Sequence, residues 1–155
     1  MTTRYVIDTN VFLGLMGRSG ICENIARCIE LISGICEDLR LCRDVELVLD
    51  IVHFNRELIQ HISDLEESIM CDIMLRIFFE AKRRKLKLRK QIKSKIKIVK
   101  IPRGRVNKYA DKYKELDNID IRVLLTAKYY NATLITCDLS LAEAARKNKI
   151  KVMVP

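Results

Sequence analysis

The sequence predicts an α/β fold in which a central parallel sheet carries helices on both faces. Short apolar runs typical of buried strands alternate along the chain with longer stretches in which apolar residues recur every three or four positions. Two of the apolar runs, at residues 4–8 and 133–138, end directly in a carboxylate. The chain has 155 residues, 49% of them hydrophobic and 32% charged, which predicts a single soluble domain with a sizeable core.

The first third of the chain is predicted to contain a strand, two helices and a second strand. Residues 4–8 form the buried first strand, and the residues that follow open a helix. A second helix is expected at about 21–33, where isoleucines recur at helical spacing, and Gly34 ends it. A short strand is then predicted at 38–42.

The middle of the chain is predicted to be helical and then extended. Asp44 is expected to cap a long helix. The residues from Ser63 to Glu66 resemble a capping box that begins a fresh helix. From Lys95 to Ile101 lysines alternate with apolar residues, which is the period of a strand, and a proline ends this pattern.

The last third is predicted to alternate helices with strands. Helices are expected at about 105–115, 120–130 and 139–148, and strands at 133–137 and 151–154. This alternation favours parallel strand pairing with crossover helices. No internal repeat or low-complexity linker divides the chain.

The positive charge of the chain is concentrated in one segment. The net charge is +9, but residues 82–100 contain eleven Lys or Arg and no acid, and the rest of the chain has a net charge of −2. Such a localised basic stripe is typical of a nucleic-acid-binding surface. The alternative is a solvated face whose lysines discourage aggregation. We therefore predict one domain over residues 1–155, with a basic helical segment at about 64–100 inserted in it.

The six cysteines show no metal-binding spacing. None forms a CxxC pair, and no Cys/His set has zinc-finger spacing. Buried thiols in a reducing compartment are the expectation, although disulfides remain open for a hyperthermophile protein. The apolar runs are too short for a membrane span and no signal peptide is recognisable, so a cytoplasmic location is expected.

Three carboxylates occupy comparable places in the predicted fold. Asp8 and Asp138 follow strands, and Asp120 opens an apolar helix. Each could be only a helix cap. However, ligands of open parallel sheets bind at the carboxyl ends of the strands, where these acids would meet and repel one another unless a divalent cation neutralised them. The sequence therefore predicts a metal site for Mg²⁺ or Mn²⁺, which prefer oxygen ligands.

The acidic motifs resemble those of the PIN domain family. The resemblance rests on Val6-Ile7-Asp8-Thr9-Asn10, on Asp120-x-x-Val123-Leu124-x-x-Ala127 and on Leu134-Ile135-Thr136-Cys137-Asp138, in that order. The family consists of metal-dependent nucleases and includes the VapC toxins of toxin–antitoxin pairs. The resemblance implies a Rossmann-like α/β/α sandwich in which Asp8, Asp120 and Asp138 hold the metal.

The family pattern also implies a fourth acid, usually Glu, in the second turn of the helix after the second strand. Asp50, six residues after Asp44, is our choice, and Asp in place of Glu departs from the pattern. Glu46 is the alternative, and Asp117 is a further candidate ligand or a turn residue. Thr9, Asn10 and Thr136 are expected to orient the acids or contact phosphate.

The function implied is a metal-dependent endoribonuclease that hydrolyses RNA phosphodiesters. The partners implied are RNA, an antitoxin protein if the chain is a toxin rather than an RNA-processing enzyme, and a second copy in a homodimer. RNA contacts are expected from a cluster of basic side chains: Arg83, Arg84, Lys85, Arg89 and Lys90.

Two other classes of protein and a nucleotide-binding fold are alternatives to the nuclease. A non-catalytic RNA-binding module on the same fold would keep the basic stripe but bind metal weakly, and Asp at position 50 leaves that reading open. A phosphatase of the haloacid dehalogenase type needs a second Asp where Asn10 stands. A nucleotide-binding fold is disfavoured because no glycine-rich phosphate loop follows Asp8.

Overall fold

A computed structural model describes residues 2–15, 22, 24–42, 44–61 and 96–155. The strands found there are β1 (Thr3–Ile7), β2 (Val45–Asp50), β3 (Ile96–Val99), β4 (Thr133–Ile135) and β5 (Val152–Met153). They form a five-stranded sheet in the order β3-β2-β1-β4-β5, and every neighbouring pair is parallel. The predicted α/β fold with a central parallel sheet is confirmed.

The helices of the described residues cover both faces of this sheet. They are α1 (Thr9–Leu15), α2 (Ile25–Leu41), α3 (Ile51–Arg56), α4 (Arg103–Lys112), α5 (Asn118–Tyr129) and α6 (Leu139–Lys147), with a 3₁₀ turn at Leu58–His61. Side chains alternate along the strands, so Ile7 and Ile135 pack with α1, α2 and α3, whereas Val6 and Leu134 pack with α4, α5 and α6. Two apolar cores therefore sandwich the sheet.

The predicted boundaries around residues 34–50 are wrong. Helix α2 continues through Gly34 to Leu41, and residues 45–50 are a strand rather than part of a helix capped by Asp44. Strand β2 is covered on both faces, so its apolar residues form an almost continuous run that fits helical and strand periods equally well. A methyl group at Gly34 would meet nothing within 4 Å, so this exposed glycine interrupts no packing.

The other predicted boundaries of the described strands and helices are confirmed to within about four residues. The predicted helix from Ser63 and the proposed RNA-binding side chains at 83–90 lie outside the described residues. Of the basic segment, β3 and Lys100 are described, and Lys97 places its ammonium 4.9 Å from the centre of the Tyr130 ring. This lysine is half-buried and therefore makes an internal cation–π contact.

The order of the strands creates a crevice between β1 and β4. From β1 the chain proceeds to β2 and β3 on one side, and later returns to β4 and β5 on the other side of β1. Ligands of parallel α/β folds bind at such a reversal, beyond the carboxyl ends of the strands. Asp8 follows β1 and Asp138 lies three residues beyond the end of β4, so both border this crevice. Among the described helices, none has the length and apolar character needed to cross a bilayer.

Candidate metal centre at the carboxyl edge of the sheet

Asp8 is the buried centre of the candidate site. Only 4% of the residue is exposed, and its two carboxylate oxygens accept hydrogen bonds of 2.8 Å from the Thr9 backbone N–H and the Thr136 hydroxyl. Burial raises the pKa of Asp8 to about 7, against the lowering effect of these two hydrogen bonds. The carboxylates of Glu57 and Asp138 raise the pKa of Asp8 further, so these acids lie within electrostatic reach of it.

Asp138 is both a helix cap and a neighbour of Asp8. Its Oδ1 accepts hydrogen bonds from the backbone N–H groups of Ser140 (2.9 Å) and Leu141 (3.3 Å) at the start of α6. Its own N–H donates to the Thr136 hydroxyl oxygen at 3.0 Å. Within the described residues no hydrogen bond uses Asp138 Oδ2. Capping therefore occupies one oxygen and leaves the other available to a ligand.

Asp120 belongs to a capping box at the start of α5. Asp117 is the N-cap and accepts from the Asp120 backbone N–H at 2.8 Å, while Asp120 Oδ2 accepts from the Asp117 N–H at 3.3 Å. Burial raises the pKa of Asp120 to about 7, and the carboxylates of Asp117, Asp8 and Asp138 add to the rise. The three acids predicted as metal ligands thus form one electrostatically coupled group.

Asn10 connects the first acidic motif to the last. Its side-chain oxygen accepts from the Cys137 backbone N–H at 3.0 Å, and its amide nitrogen donates to the Thr136 hydroxyl at 3.4 Å. Because Thr136 in turn donates to Asp8 and accepts from the Asp138 N–H, two acids share one hydroxyl. The amide and the hydroxyl together hold the turn after β4 against the start of α1.

Asp50 has a structural role in this fold. It ends β2, is 2% exposed, and accepts hydrogen bonds from the backbone N–H groups of Val52, His53 and Ile101 at 2.9–3.0 Å. The Arg122 guanidinium lies 3.3 Å from Asp50 Oδ2 and also donates to the Ile101 carbonyl at 2.8 Å. Four donors therefore surround this buried carboxylate. The prediction that Asp50 lies in the second turn of a helix is wrong, because it is the last residue of β2 and the N-cap of α3.

Glu46 lies away from the crevice. It is the register neighbour of Arg4 on β1, and the Arg4 guanidinium donates to its carboxylate at 2.7 Å. It precedes Asp50 by four residues of extended chain, or about 13 Å. Glu46 is therefore far from Asp8. The same register continued brings Asp50 level with Asp8 on the neighbouring strand, but four donors already surround the Asp50 carboxylate.

Glu57 is the acid that the sequence reasoning missed. The Thr9 hydroxyl donates to its carboxylate at 2.6 Å, and His53 Nε2 lies 2.7 Å from the same hydroxyl oxygen. Since the single hydroxyl hydrogen goes to Glu57, the histidine must carry its proton on Nε2. Burial lowers the pKa of His53 to about 4, so this ring is neutral at pH 7. Glu57 is therefore hydrogen-bonded to Thr9, the residue that directly follows Asp8.

A sequence signal for Glu57 does exist. The helix after the second strand begins at Ile51, with Asp50 as its N-cap, and Glu57 is its C-cap, close to the second-turn position where the family resemblance implies an acid. The strand was predicted at 38–42, seven residues before β2 begins at Val45, so the following helix was predicted to start too early. Correct placement of β2 would have identified Glu57.

The donor set fits a hard divalent cation. All nearby charged ligands are carboxylates, and two of them have pKa values raised to about 7 by burial and mutual repulsion, which a cation would relieve. In the described part of the chain, only three cysteines bring their ligand atoms within 4.8 Å of one another, so the carboxylate oxygens are spread more widely. A cation held by these acids would therefore be bound partly through water molecules, as Mg²⁺ usually is.

Comparison with known proteins identifies the family. The model of the PIN domain family matches residues 5–147, so the chain belongs to this family, as its acidic motifs predicted. PIN domains are typically nucleases.

One solved structure and the curated sequences complete the comparison. The crystal structure of FitAcB from Neisseria gonorrhoeae contains a chain that is 19% identical, with a TM-score of 0.49, over 97% of this chain and 96% of that one. No curated protein sequence matches the chain.

Proposed function

We propose that this PIN domain is an Mg²⁺- or Mn²⁺-dependent endoribonuclease. The observation that carries the proposal is Asp8, a carboxylate that is 4% exposed, has a pKa of about 7 and is coupled to Asp120, Asp138 and Glu57 at the crevice between β1 and β4. Burying several acids together is costly unless a cation compensates them. This crevice is also where the fold binds ligands.

Each residue then has a defined task. Asp8, Asp120 and Asp138 would hold the cation, with Glu57 in place of Asp50 as the fourth acid. A bound divalent cation supplies activation of water and stabilisation of the charge that develops on a phosphodiester. Thr136 fixes one oxygen of Asp8, and Thr9 holds Glu57 close to it. Because Glu57 provides the missing acid, Asp at position 50 no longer favours a non-catalytic module.

The proposed substrate is RNA, and the basic segment supports it. Eleven positive charges within residues 82–100 would attract a polyanion without selecting its sequence. A toxin with an antitoxin partner and an RNA-processing enzyme are both compatible with this site, as is a homodimer. An antitoxin gene next to this one would favour the toxin.

The test is cleavage of a pool of single-stranded and structured RNA with Mg²⁺, Mn²⁺ or EDTA. We expect cleavage with either metal and none with EDTA. Asp8→Asn should abolish cleavage, whereas Asp111→Asn, on the exposed surface of α4, should cut like the wild type. Cleavage by Asp8→Asn at the wild-type rate would refute the site. Salt-sensitive RNA binding without cleavage would instead make the protein a binding module.

A further inference from the structure

Three cysteine sulfurs lie close together, and one of them belongs to Cys137 in the last acidic motif. Cys22 and Cys137 form a disulfide across 115 residues of sequence, and Cys28 Sγ lies 3.9 Å from Cys137 Sγ. All three sulfurs lie within 4.8 Å of one another. Cys28 is fully buried and Cys22 is 6% exposed. The sequence analysis expected buried thiols; this is wrong for Cys22, Cys36 and Cys137, which are disulfide-bonded.

The packing of α1 makes room for these sulfurs. A Cβ atom at Gly14 would lie 2.8 Å from Cys22 Cβ, 3.0 Å from Cys22 Sγ and 3.1 Å from Cys28 Sγ. Contacts below 3.0 Å are essentially never made by real Cβ atoms. Only glycine therefore allows the helix that follows Asp8 to approach the sulfur cluster so closely.

The disulfide acts on the turn that carries the site. Cys137 stands between Thr136, which donates to Asp8, and Asp138. Its backbone N–H is held by the Asn10 side chain, and its side chain is held by Cys22. The turn after β4 is thus fastened once through its backbone and once through a covalent bond.

We propose that the Cys22–Cys137 disulfide is a redox-controlled clasp that positions Asp138 and Thr136 around Asp8, with Cys28 as an alternative partner for Cys137. This inference rests on the proposed nuclease function. A dithiol reductant opens the clasp: the S–S bond breaks, two hydrogens pass to the two sulfurs, and the dithiol becomes a disulfide.

Cys28 allows a second, redox-neutral step. Its sulfur can bond to Cys137 Sγ while the bond to Cys22 breaks, and the thiol hydrogen of Cys28 ends on Cys22. The two disulfides hold the same turn to different elements. Cys22–Cys137 ties it to the segment before α2, and Cys28–Cys137 ties it to α2 itself.

The test uses the full chain purified without reductant. Mapping of the disulfides by alkylation and peptide mass spectrometry should show Cys22 linked to Cys137 in the wild type, and Cys28 linked to Cys137 in Cys22→Ser. Cys22→Ser/Cys28→Ser leaves Cys137 without either partner. Cys36 is also disulfide-bonded, so reduction of the wild type would break that bond as well. The double variant instead removes only the two partners of Cys137.

In the double variant we expect Mn²⁺ affinity and RNA cleavage to fall at least roughly tenfold, as when groups that orient metal ligands are removed. The melting temperature should fall by on the order of 10 °C. Cys42→Ser, at the exposed end of α2, should match the wild type.

The outcomes separate the clasp from the nuclease. Wild-type affinity and cleavage in the double variant would overturn the clasp, and so would stoichiometric zinc on three free thiols in place of the linked peptide. A wild type that cuts no RNA, but loses Mn²⁺ affinity when the clasp is removed, would refute the nuclease and support the clasp.

Discussion

At the scale of single residues, Asp50 was predicted to be the fourth acid, whereas Glu57 is the acid held next to Asp8. Asp50 is enclosed by three backbone N–H groups and a guanidinium, whereas Glu57 is held by the Thr9 hydroxyl next to Asp8. A carboxylate with four donors stabilises the fold, and one with few donors can accept a cation. The two acids should therefore fail in different ways when they are changed.

Substitution of each acid separates these roles. Asp50→Ala leaves the buried Arg122 uncompensated and should lower the free energy of unfolding by about 3–5 kcal/mol. Glu57→Gln should reduce cleavage by at least about 100-fold with a change in stability within about 1 kcal/mol. Denaturant unfolding and RNA cleavage measured on both variants check this, with Glu46→Gln as the control that keeps cleavage. Normal cleavage by Glu57→Gln would exclude Glu57 as the fourth acid.

The raised pKa of Asp8 predicts a pH dependence of stability. The folded protein holds this proton up to about pH 7, whereas the unfolded chain releases it near 3.8, the ordinary pKa of an aspartate. The stabilisation is therefore complete below about pH 4 and is lost as the pH rises through 7, by at most about 4 kcal/mol. His53 acts oppositely between its folded pKa of about 4 and its unfolded 6.5, so rising pH there favours folding.

Comparison with Asp8→Asn isolates the aspartate, because His53 is common to both proteins. Chemical unfolding in EDTA from pH 4 to pH 8 should show the wild type losing stability relative to the variant as pH rises. Excess Mg²⁺ should reduce that loss, since a cation favours the charged carboxylate. A stability difference that does not change with pH would mean that Asp8 has an ordinary pKa.

At the scale of elements, two glycines in helices have opposite surroundings. A Cβ at Gly34 in α2 meets nothing, and one at Gly14 in α1 collides with Cys22. Gly34→Ala should therefore stabilise the protein by about 0.5–1 kcal/mol through helix propensity. Gly14→Ala should destabilise it by roughly 1–3 kcal/mol through overpacking. Thermal and denaturant unfolding of both variants test this. Stabilisation by Gly14→Ala would show that the cysteine side chains can shift to accommodate the added methyl group.

Local sequence patterns predicted the elements wherever the signal was local. The apolar runs before Asp8 and Asp138 are short, and they end in polar residues, so the strands and the acids that follow them could be located. Strand β2 could not be, because burial on both faces removes the alternation on which a strand assignment depends. The partner of Asp50 was equally hidden, since Arg122 is 72 residues away and is buried only through the tertiary fold.

At the scale of the whole molecule, charge is separated along the chain rather than balanced. The segment 82–100 is strongly basic, and the remainder has a net charge of −2. Within the described residues, Lys97 of this segment is engaged with the Tyr130 ring. The candidates for RNA contact are therefore the side chains at 83–90, which lie outside the described residues.

Neutralising Arg83, Arg84 and Lys85 to Gln should weaken RNA binding and flatten its salt dependence. Each lost phosphate contact lowers the slope of log K against log salt by about 0.7 for single strands. A matched variant with Lys147, Lys149 and Lys151 changed to Gln removes the same charge near the start of β5, at the opposite edge of the sheet from Asp8. Titration of both variants at several salt concentrations checks this, and equal slopes would assign the segment to a solvated face.

The pairing of β1 with β4 also determines when the acids come together during synthesis. Val6 and Leu134 are neighbours in the sheet but 128 residues apart in the chain. On the ribosome, the first strand emerges long before Thr136 and Asp138 exist, so Asp8 has neither its hydroxyl partner nor its fellow carboxylate. For a protein proposed to cut RNA, this strand order would delay assembly of the proposed metal site until the last acidic motif has been synthesised.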